Sequence, residues 1–178
     1  MSATICVVIP TVGRPSLCRA VSSAYAFADQ VLVVADGAPH VEADLHVELG
    51  CPGLVRNAAA EHVWTDFVAF CDDDDVLVPE VYRRGVEMHP AVDMLIHTMA
   101  HPVLGPVPRP GWPLDHGNVG ISFMVRTDLW RANPFIAGPP ATFRGEDFEL
   151  VRRFMDQGRT IALSTEVGYI VRPQEGQS

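Results

Sequence analysis

The chain has 178 residues, 48% of them apolar, and we expect it to form one domain, residues 1–178, around a hydrophobic core. Its formal charge of −9 argues against general nucleic-acid binding, which needs a basic face to neutralise phosphates. No apolar run approaches the roughly 20 residues of a membrane helix. The N-terminus, "MSATICVVIP", lacks the basic region and cleavage site of a secretory signal. We therefore expect a cytoplasmic protein without a transmembrane segment.

The basic and cysteine residues narrow the chemistry further. All 13 basic residues are arginines, so Schiff-base lysine chemistry and a P-loop lysine are excluded. A phosphate would then be held by arginine, by main-chain N–H groups or by a metal. The four cysteines form no C-x-x-C pair, and Cys6 and Cys71 lie in apolar runs, which is typical of small core residues rather than of zinc ligands.

The first half of the chain alternates short apolar runs with helical patterns. The pattern predicts buried strands over residues 4–10, 30–37 and 66–72, a short edge strand over 45–49, and helices from about residue 15 and over 53–63. Strands that alternate with helices indicate an α/β fold, with a central, mainly parallel sheet flanked by helices.

In the second half of the chain, the pattern predicts a helix over 79–88 and strands over 91–99 and 118–126. It also predicts a short helix over 127–132, with Thr127 or Asp128 as its cap. Residues 100–117 contain many prolines and no periodicity, which is typical of a functional loop or lid. A helix over 145–158 ends at Gly158, and two strands, "TIALS" and "VGYIVRP", follow it. Its expected apolar stripe is Phe148, Val151, Phe154 and Met155.

Three of the predicted strands end in polar residues, at 10–11, 36–37 and 72–75. Ligands of parallel α/β sheets bind outside the carboxyl ends of the strands, so these residues share one rim. The acids of "CDDDD" are oxygen ligands of the kind that Mg²⁺ or Mn²⁺ takes together with substrate phosphates. Two alternatives stay open for this run: a solvated acidic turn, and the D-x-D-x-V-L nucleophile pattern of haloacid dehalogenases, whose usual lysine is missing here.

Other polar residues also have two interpretations. Asp36 either accepts hydrogen bonds from a nucleobase or ribose, or belongs to an Asp-Gly turn. Arg56 either binds a diphosphate bidentately or is a surface helix arginine. Glu146 and Asp147 either stabilise the start of a helix by interacting with its dipole, or supply a catalytic base beside an acceptor hydroxyl.

Six segments, in order along the chain, resemble GT-A glycosyltransferases of the inverting family 2 type. They are "VVIPTVGRPSL", "VLVVADG", "GLVRNAAAEHV", "FVAFCDDDDVLVPE", "FRGEDFELVRRFMDQGRTIAL" and "YIVRP". They are similar to the family's opening strand, its V-D-D-G-S base-binding strand end, its R-N-x-G/A helix, its D-x-D metal segment, its E-D helix and its closing strand. In the second segment Ala35 stands where the family has its first acid.

The resemblance implies the GT-A fold and a nucleotide-diphosphate sugar, UDP- or GDP-linked, as donor. It implies Asp74 as ligand of a Mn²⁺ or Mg²⁺ ion, Asp147 as the general base and Glu146 as its support or an acceptor contact. The implied nucleotide-sugar-binding set is Pro10, Thr11, Arg14, Asp36, Arg56, Asp72, Asp73 and Arg172.

Within that set the implied roles differ. Thr11 and Asp36 contact the nucleoside, and Arg56 contacts the base or the diphosphate. Asp73 contacts the ribose, Asp72 frames the site, and Arg172 reaches the phosphates. In the acidic run, Asp75 alone is expected to be a turn residue.

The chain also departs from the family. It is short, it lacks the Q-x-x-R-W motif of processive members, and the proline-rich stretch 100–117 takes the usual acceptor region. We therefore expect a single transfer to an acceptor that the sequence leaves open, as it leaves open the oligomeric state, with a homodimer among the alternatives. The rival function from another class is a non-catalytic nucleotide-sugar-binding module.

Overall fold

A computed structural model of the protein describes residues 3–136 and 145–172. Over these residues the chain forms a mixed α/β structure with one nine-stranded sheet. Its strands are β1 (Ile5–Thr11), β2 (Gln30–Asp36), β3 (Leu45–Val47), β4 (Phe67–Phe70), β5 (Val76–Leu77), β6 (Met94–His101), β7 (Gly105–Val107), β8 (Phe123–Arg126) and β9 (Ile161–Ile170). Its helices are α1 (Leu17–Tyr25), α2 (Pro52–Ala58), α3 (Pro79–Met88), α4 (Thr127–Ala132) and α5 (Glu146–Asp156).

The strand order is β3-β2-β1-β4-β8-β6-β9-β5, and β7 pairs with β6. The strands from β3 to β4 are parallel, whereas β8 runs antiparallel to both of its neighbours. β1 is buried along its whole length, as the continuous apolar run predicted for a strand covered on both faces. The predicted α/β fold with a central sheet is confirmed, and its parallel part carries the three polar strand ends.

The second half of the sheet differs from the predicted elements. β9 is one strand rather than two, and its register against β6 shifts around Thr98. β7 forms inside the proline-rich stretch and extends β6 into a hairpin. β5 was not predicted, because two residues carry no periodic signal. Pro173, the last residue of the predicted closing strand, lies outside the described residues.

The helices follow their sequence signals with local exceptions. Pro52 and Pro79 begin α2 and α3, where a missing N–H costs nothing. α2 ends at Ala58 and a 3₁₀ turn, Ala60–His62, completes the predicted helical stretch. The prediction of Thr127 or Asp128 as cap of α4 is wrong, because Arg126 takes that position and no side chain caps the helix.

The core lies against the sheet and beneath the polar strand ends. Phe70 packs edge-on against Trp130 and Phe135, with ring centroids 5.4 and 5.1 Å apart. α5 buries Leu150, Val151 and Phe154, while Met155 of its predicted stripe is 46% exposed. Cys6 and Cys71 are buried core residues, as predicted. In the described part of the chain, every helix is too short or too polar to cross a membrane.

Candidate nucleotide-sugar site

A cavity of about 470 Å³ opens where β1, β2 and β4 end, and the first turn of α5 closes its far side. This places the predicted strand ends and the E-D helix around one space. Arg172 is the one predicted site residue outside the cavity lining of the described chain. The lining residues are Pro10, Thr11, Val12, Arg14, Asp36, Gly50, Pro52, Val55, Arg56, Asp72, Asp73, Asp74, Glu146 and Asp147.

Asp73 holds the loop that follows β1. Its side chain is 1% exposed, and its Oδ2 accepts hydrogen bonds from the Thr11 hydroxyl at 2.6 Å and from the Val12 N–H at 3.3 Å. Its Oδ1 accepts a short hydrogen bond from the Arg14 guanidinium. The buried carboxylate is therefore satisfied from the loop, and the Thr11–Arg14 segment is fixed beside the acidic run.

Asp75 is a buried link rather than a solvated turn residue. Its N–H donates to the Asp72 carbonyl at 3.1 Å, which closes the expected turn. Its Oδ1 accepts the main-chain N–H of Arg172 at 3.0 Å, and the Tyr169 hydroxyl bonds to it as well. Burial raises the pKa of Asp75 to about 7. These contacts join the acidic run to the end of β9, where the Arg172 side chain is exposed.

Arg56 is the buried cation of the site. Its side chain is 3% exposed, and its Nη2 donates to Asp72 Oδ1 at 2.6 Å. Its Nη1 lies 3.5 Å from Glu146 Oε1 and 3.8 Å from Asp147 Oδ1. One guanidinium thus pairs with the acidic run on one side and with the start of α5 on the other. The surface-arginine interpretation of Arg56 is excluded by this burial.

The neighbouring side chain explains how Arg56 is held. Asn57 exchanges two hydrogen bonds with the main chain of Phe135, donating to its carbonyl at 2.8 Å and accepting its N–H at 3.0 Å. The Phe135 ring, fixed in this way, lies under the Arg56 guanidinium at 5.4 Å from ring centroid to Cζ. Gly53 allows the close approach of α2 to this residue, since a Cβ there would lie 3.0 Å from Phe135 Cβ.

Asp147 has the electrostatics expected of a group that exchanges protons near neutral pH. Burial raises its pKa to about 7, the Arg56 charge opposes that rise, and the Glu146 charge adds to it. Its side chain is 24% exposed, yet its Oδ1 is buried and has no hydrogen-bond partner among the described residues. The exposed part of the side chain therefore lies away from Oδ1, and this part of the carboxyl is the one that a hydroxyl in the cavity can reach.

Asp36 combines a structural contact with a place on the cavity wall. Its two oxygens accept the main-chain N–H groups of Leu49 and Gly50 at 2.7 and 2.9 Å. It thereby holds the loop that leads into α2. The sequence reasoning missed the contribution of this loop, through Gly50 and Pro52, to the cavity. The signal available was the Gly-Cys-Pro sequence that ends one segment and begins a helix.

The acidic run suits a hard divalent cation that a phosphate ligand helps to hold. Within residues 3–136 and 145–172, no group of three or more His, Cys, Asp or Glu side chains is arranged to enclose a metal ion. Asp74 and Asp72 line the cavity with side chains 19% and 38% exposed. One or two carboxylates, completed by phosphate oxygens and water, form a common Mg²⁺ site, so this donor set fits such an ion.

The fold, with this cavity at its parallel strand ends, is that of GT-A glycosyltransferases. TarS (residues 1–349) from S. aureus, in complex with UDP-GlcNAc, is similar with a TM-score of 0.71 and 21% identity, over 98% of this chain and 60% of that one. Glucosyl-3-phosphoglycerate synthase from Mycobacterium tuberculosis, in complex with Mn²⁺, UDP and phosphoglyceric acid, has a TM-score of 0.68 and 14% identity, over 97% of this chain and 72% of that one.

These likenesses confirm the predicted fold class. The structure argues against the haloacid dehalogenase interpretation of "CDDDD", because that pattern closes the first strand of its fold and this run follows β4. The chain spans 60% of the TarS fragment. No protein-family model and no curated protein sequence matches the chain.

Proposed function

We propose that the chain transfers a sugar from a nucleotide-diphosphate sugar, UDP- or GDP-linked, to an acceptor hydroxyl. The proposal rests on one observation: within the cavity described above, Arg56 forms ion pairs with Asp72 on one side and with Glu146 and Asp147 on the other. A sugar transfer needs a place for a diphosphate and a base for the acceptor within reach of one anomeric carbon. Proteins of the same fold hold UDP, or UDP-GlcNAc, in their crystal structures, which supports the same donor class here.

On the donor side, Thr11 and Asp36 would contact the nucleoside. A carboxylate has about four lone-pair sites, so Asp36 keeps acceptor capacity beyond its two main-chain contacts. Pro10 forms the wall beside Thr11. Asp73 would act on the ribose side mainly by holding the Thr11–Arg14 loop, since both of its oxygens have partners.

The diphosphate would lie near Asp74 and the cations of the cavity. We assign Asp74, with Asp72 beside it, to a Mn²⁺ or Mg²⁺ ion. Such an ion, when bound, supplies Lewis-acid stabilisation of the departing diphosphate. Arg56 keeps Asp72 in place against the repulsion of the neighbouring acids. Arg172, exposed at the end of β9, does not line the cavity, so we give it no contact with the phosphates here.

On the acceptor side, Asp147 would take the proton of the attacking hydroxyl. A base works best when its pKa lies near the operating pH, and burial brings the pKa of Asp147 to about 7. The acceptor oxygen would then attack the anomeric carbon from the face opposite the diphosphate, which inverts that centre. Glu146 shares the Arg56 charge and would support Asp147 or touch the acceptor.

The test starts from binding and continues to turnover. Calorimetry with UDP and GDP, with Mn²⁺ and after EDTA treatment, is expected to give binding that is lost with the metal. Incubation of a UDP- or GDP-sugar set with an acceptor mixture is expected to release the nucleoside diphosphate, and NMR of the product should give the inverted anomer. Tight metal-independent donor binding would contradict the role of Asp74, and binding without any turnover would favour a non-catalytic module.

A further inference from the structure

Arg14 places a positive charge directly over the acidic run. It lies in the loop after β1, lines the cavity, and its side chain is 43% exposed. Its Nη1 donates to Asp73 Oδ1 and lies 3.7 Å from Asp74 Oδ2. A divalent cation held by Asp74 would therefore meet a guanidinium already close to the same oxygen.

The two contacts of Arg14 are unequal. The contact with Asp73 is a hydrogen bond to a carboxylate that is 1% exposed and that Thr11 also holds. The contact with Asp74 is longer than a hydrogen bond and involves a side chain that is 19% exposed. Arg14 can thus leave Asp74 while its loop stays anchored, because Gly13 also donates to the Thr11 hydroxyl at 2.9 Å.

The surroundings explain why such a cation is needed. Four consecutive carboxylates, Asp72 to Asp75, repel one another. Arg56 is paired with Asp72 and Asp75 is bound through β9, while Arg14 is paired with Asp73 and lies close to Asp74. Without a metal, Arg14 places a positive charge beside these two carboxylates and reduces their repulsion.

We propose that Arg14 is an internal counter-cation of Asp74, and that a divalent cation takes this place and turns the guanidinium, still bonded to Asp73, toward the donor diphosphate. The inference rests on the proposed function, since it uses the same metal and donor. The proposal makes metal and nucleotide binding cooperative. The metal displaces the Arg14 guanidinium from Asp74, and the guanidinium then pairs with the diphosphate of the nucleotide. Arg14 is then a donor-binding residue only when the metal is present.

The first test measures Mn²⁺ affinity without nucleotide, by EPR of free Mn²⁺, for the wild type, Arg14→Gln and Arg84→Gln. Arg84 is the matched control, because it is a surface arginine paired with Glu166 outside the cavity. Removing the competing charge should tighten Mn²⁺ binding about two- to fivefold in Arg14→Gln, the range of a part-exposed ion pair, and leave Arg84→Gln unchanged. Equal or weaker Mn²⁺ binding by Arg14→Gln would overturn the proposal.

The second test uses the wild type, so it does not depend on how a variant folds. The arginine Nε–Hε signals are followed by NMR during titration with Mg²⁺ alone, and the Arg14 signal should shift as the guanidinium leaves Asp74. Binding of UDP and of GDP is measured on the same samples. If the protein binds UDP but the Arg14 signal does not shift with Mg²⁺, the proposed exchange is wrong and the nucleotide site is retained. A protein that shows the exchange but binds neither UDP nor GDP contradicts the proposed function instead.

Discussion

Arg56 Nη2 lies 2.6 Å from Asp72 Oδ1, and this contact joins helix α2 to the acidic run after β4. The other nitrogen of the same guanidinium faces Glu146 and Asp147 at the start of α5. Because the Arg56 side chain is 3% exposed, water cannot replace either contact. The two acidic segments of the cavity therefore depend on one buried charge for their relative position.

Loss of this charge should cost much of the stability of the protein. Arg56→Met would leave Asp72 and two further acids without their buried partner. Because these acids are 17–38% exposed, the cost should be about 2–3 kcal/mol, below the roughly 3–5 kcal/mol of a fully buried pair. We expect a loss of that size in the free energy of unfolding, measured by urea titration. Arg152→Met is the matched control, because its pairs with Glu149 and Asp156 lie on the surface of α5 and should contribute below about 1 kcal/mol. Equal losses in the two variants would contradict the role given to Arg56.

The parallel half of the fold was predictable because each of its strands is a continuous apolar run. β1, β2 and β4 are buried on both faces, so their sequence signal is strong and their ends fall where polar residues begin. β9 was predicted as two strands, because Thr165 and Glu166 interrupt its apolar pattern. In the structure this interruption lies at the shifted register against β6, where the strand continues without burial.

The strand-end and helix residues of the cavity could also be predicted, apart from the loop through Gly50 and Pro52, because parallel strands bring their carboxyl ends to one rim. The contacts within it could not. Nothing near Arg56 in the sequence shows that it faces Asp72 and Glu146 rather than solvent. Likewise the burial of Asp75 follows from Tyr169 and the Arg172 main chain, which come from the far end of the chain. Such pairings arise from tertiary structure and leave no local pattern.

Replacing the proposed base should separate binding from chemistry. Asp147→Asn removes the proton acceptor but is isosteric with the protonated carboxyl, which the buried site already favours. We expect UDP affinity within about twofold of the wild type and a transfer rate lower by about 10²- to 10⁴-fold. Asp156→Asn, at the exposed end of the same helix, should retain full activity. Transfer at the wild-type rate by Asp147→Asn would remove it as the base.

The pH dependence of transfer should report the same carboxyl. Asp147 acts as a base only when deprotonated, and its pKa is about 7, so kcat/KM should rise about tenfold per pH unit below pH 7 and level off above it. The Glu146 charge raises the pKa of Asp147, so Glu146→Gln should move this limb to lower pH. Initial rates between pH 5 and 9 test both expectations. A limb that stays in place or moves upward in Glu146→Gln would assign it to another group.

His97 should make the folded state sensitive to acid. It is fully buried beside Tyr82, with ring centroids 4.4 Å apart, and neither ring nitrogen has a hydrogen-bond partner among the described residues. Burial lowers the pKa of His97 to about 4. Below about pH 6.5 His97 is therefore protonated in the unfolded chain but stays neutral in the folded protein. His97 thus lowers the free energy of unfolding as the pH falls from about 6.5 to 4.

The contribution of His97 is measured as a difference, because two carboxyls act in the opposite direction. Asp75 and Asp147, with pKa raised to about 7, bind protons more readily in the folded protein and favour it in acid. We expect the stability gap between His97→Leu and the wild type to shift in favour of the variant by about 3 kcal/mol between pH 7 and 4. Urea titrations at several pH values check this, with exposed His62→Leu as the control. A gap that is independent of pH would mean that His97 has the same pKa in the folded and the unfolded protein, which would contradict the effect given to its burial.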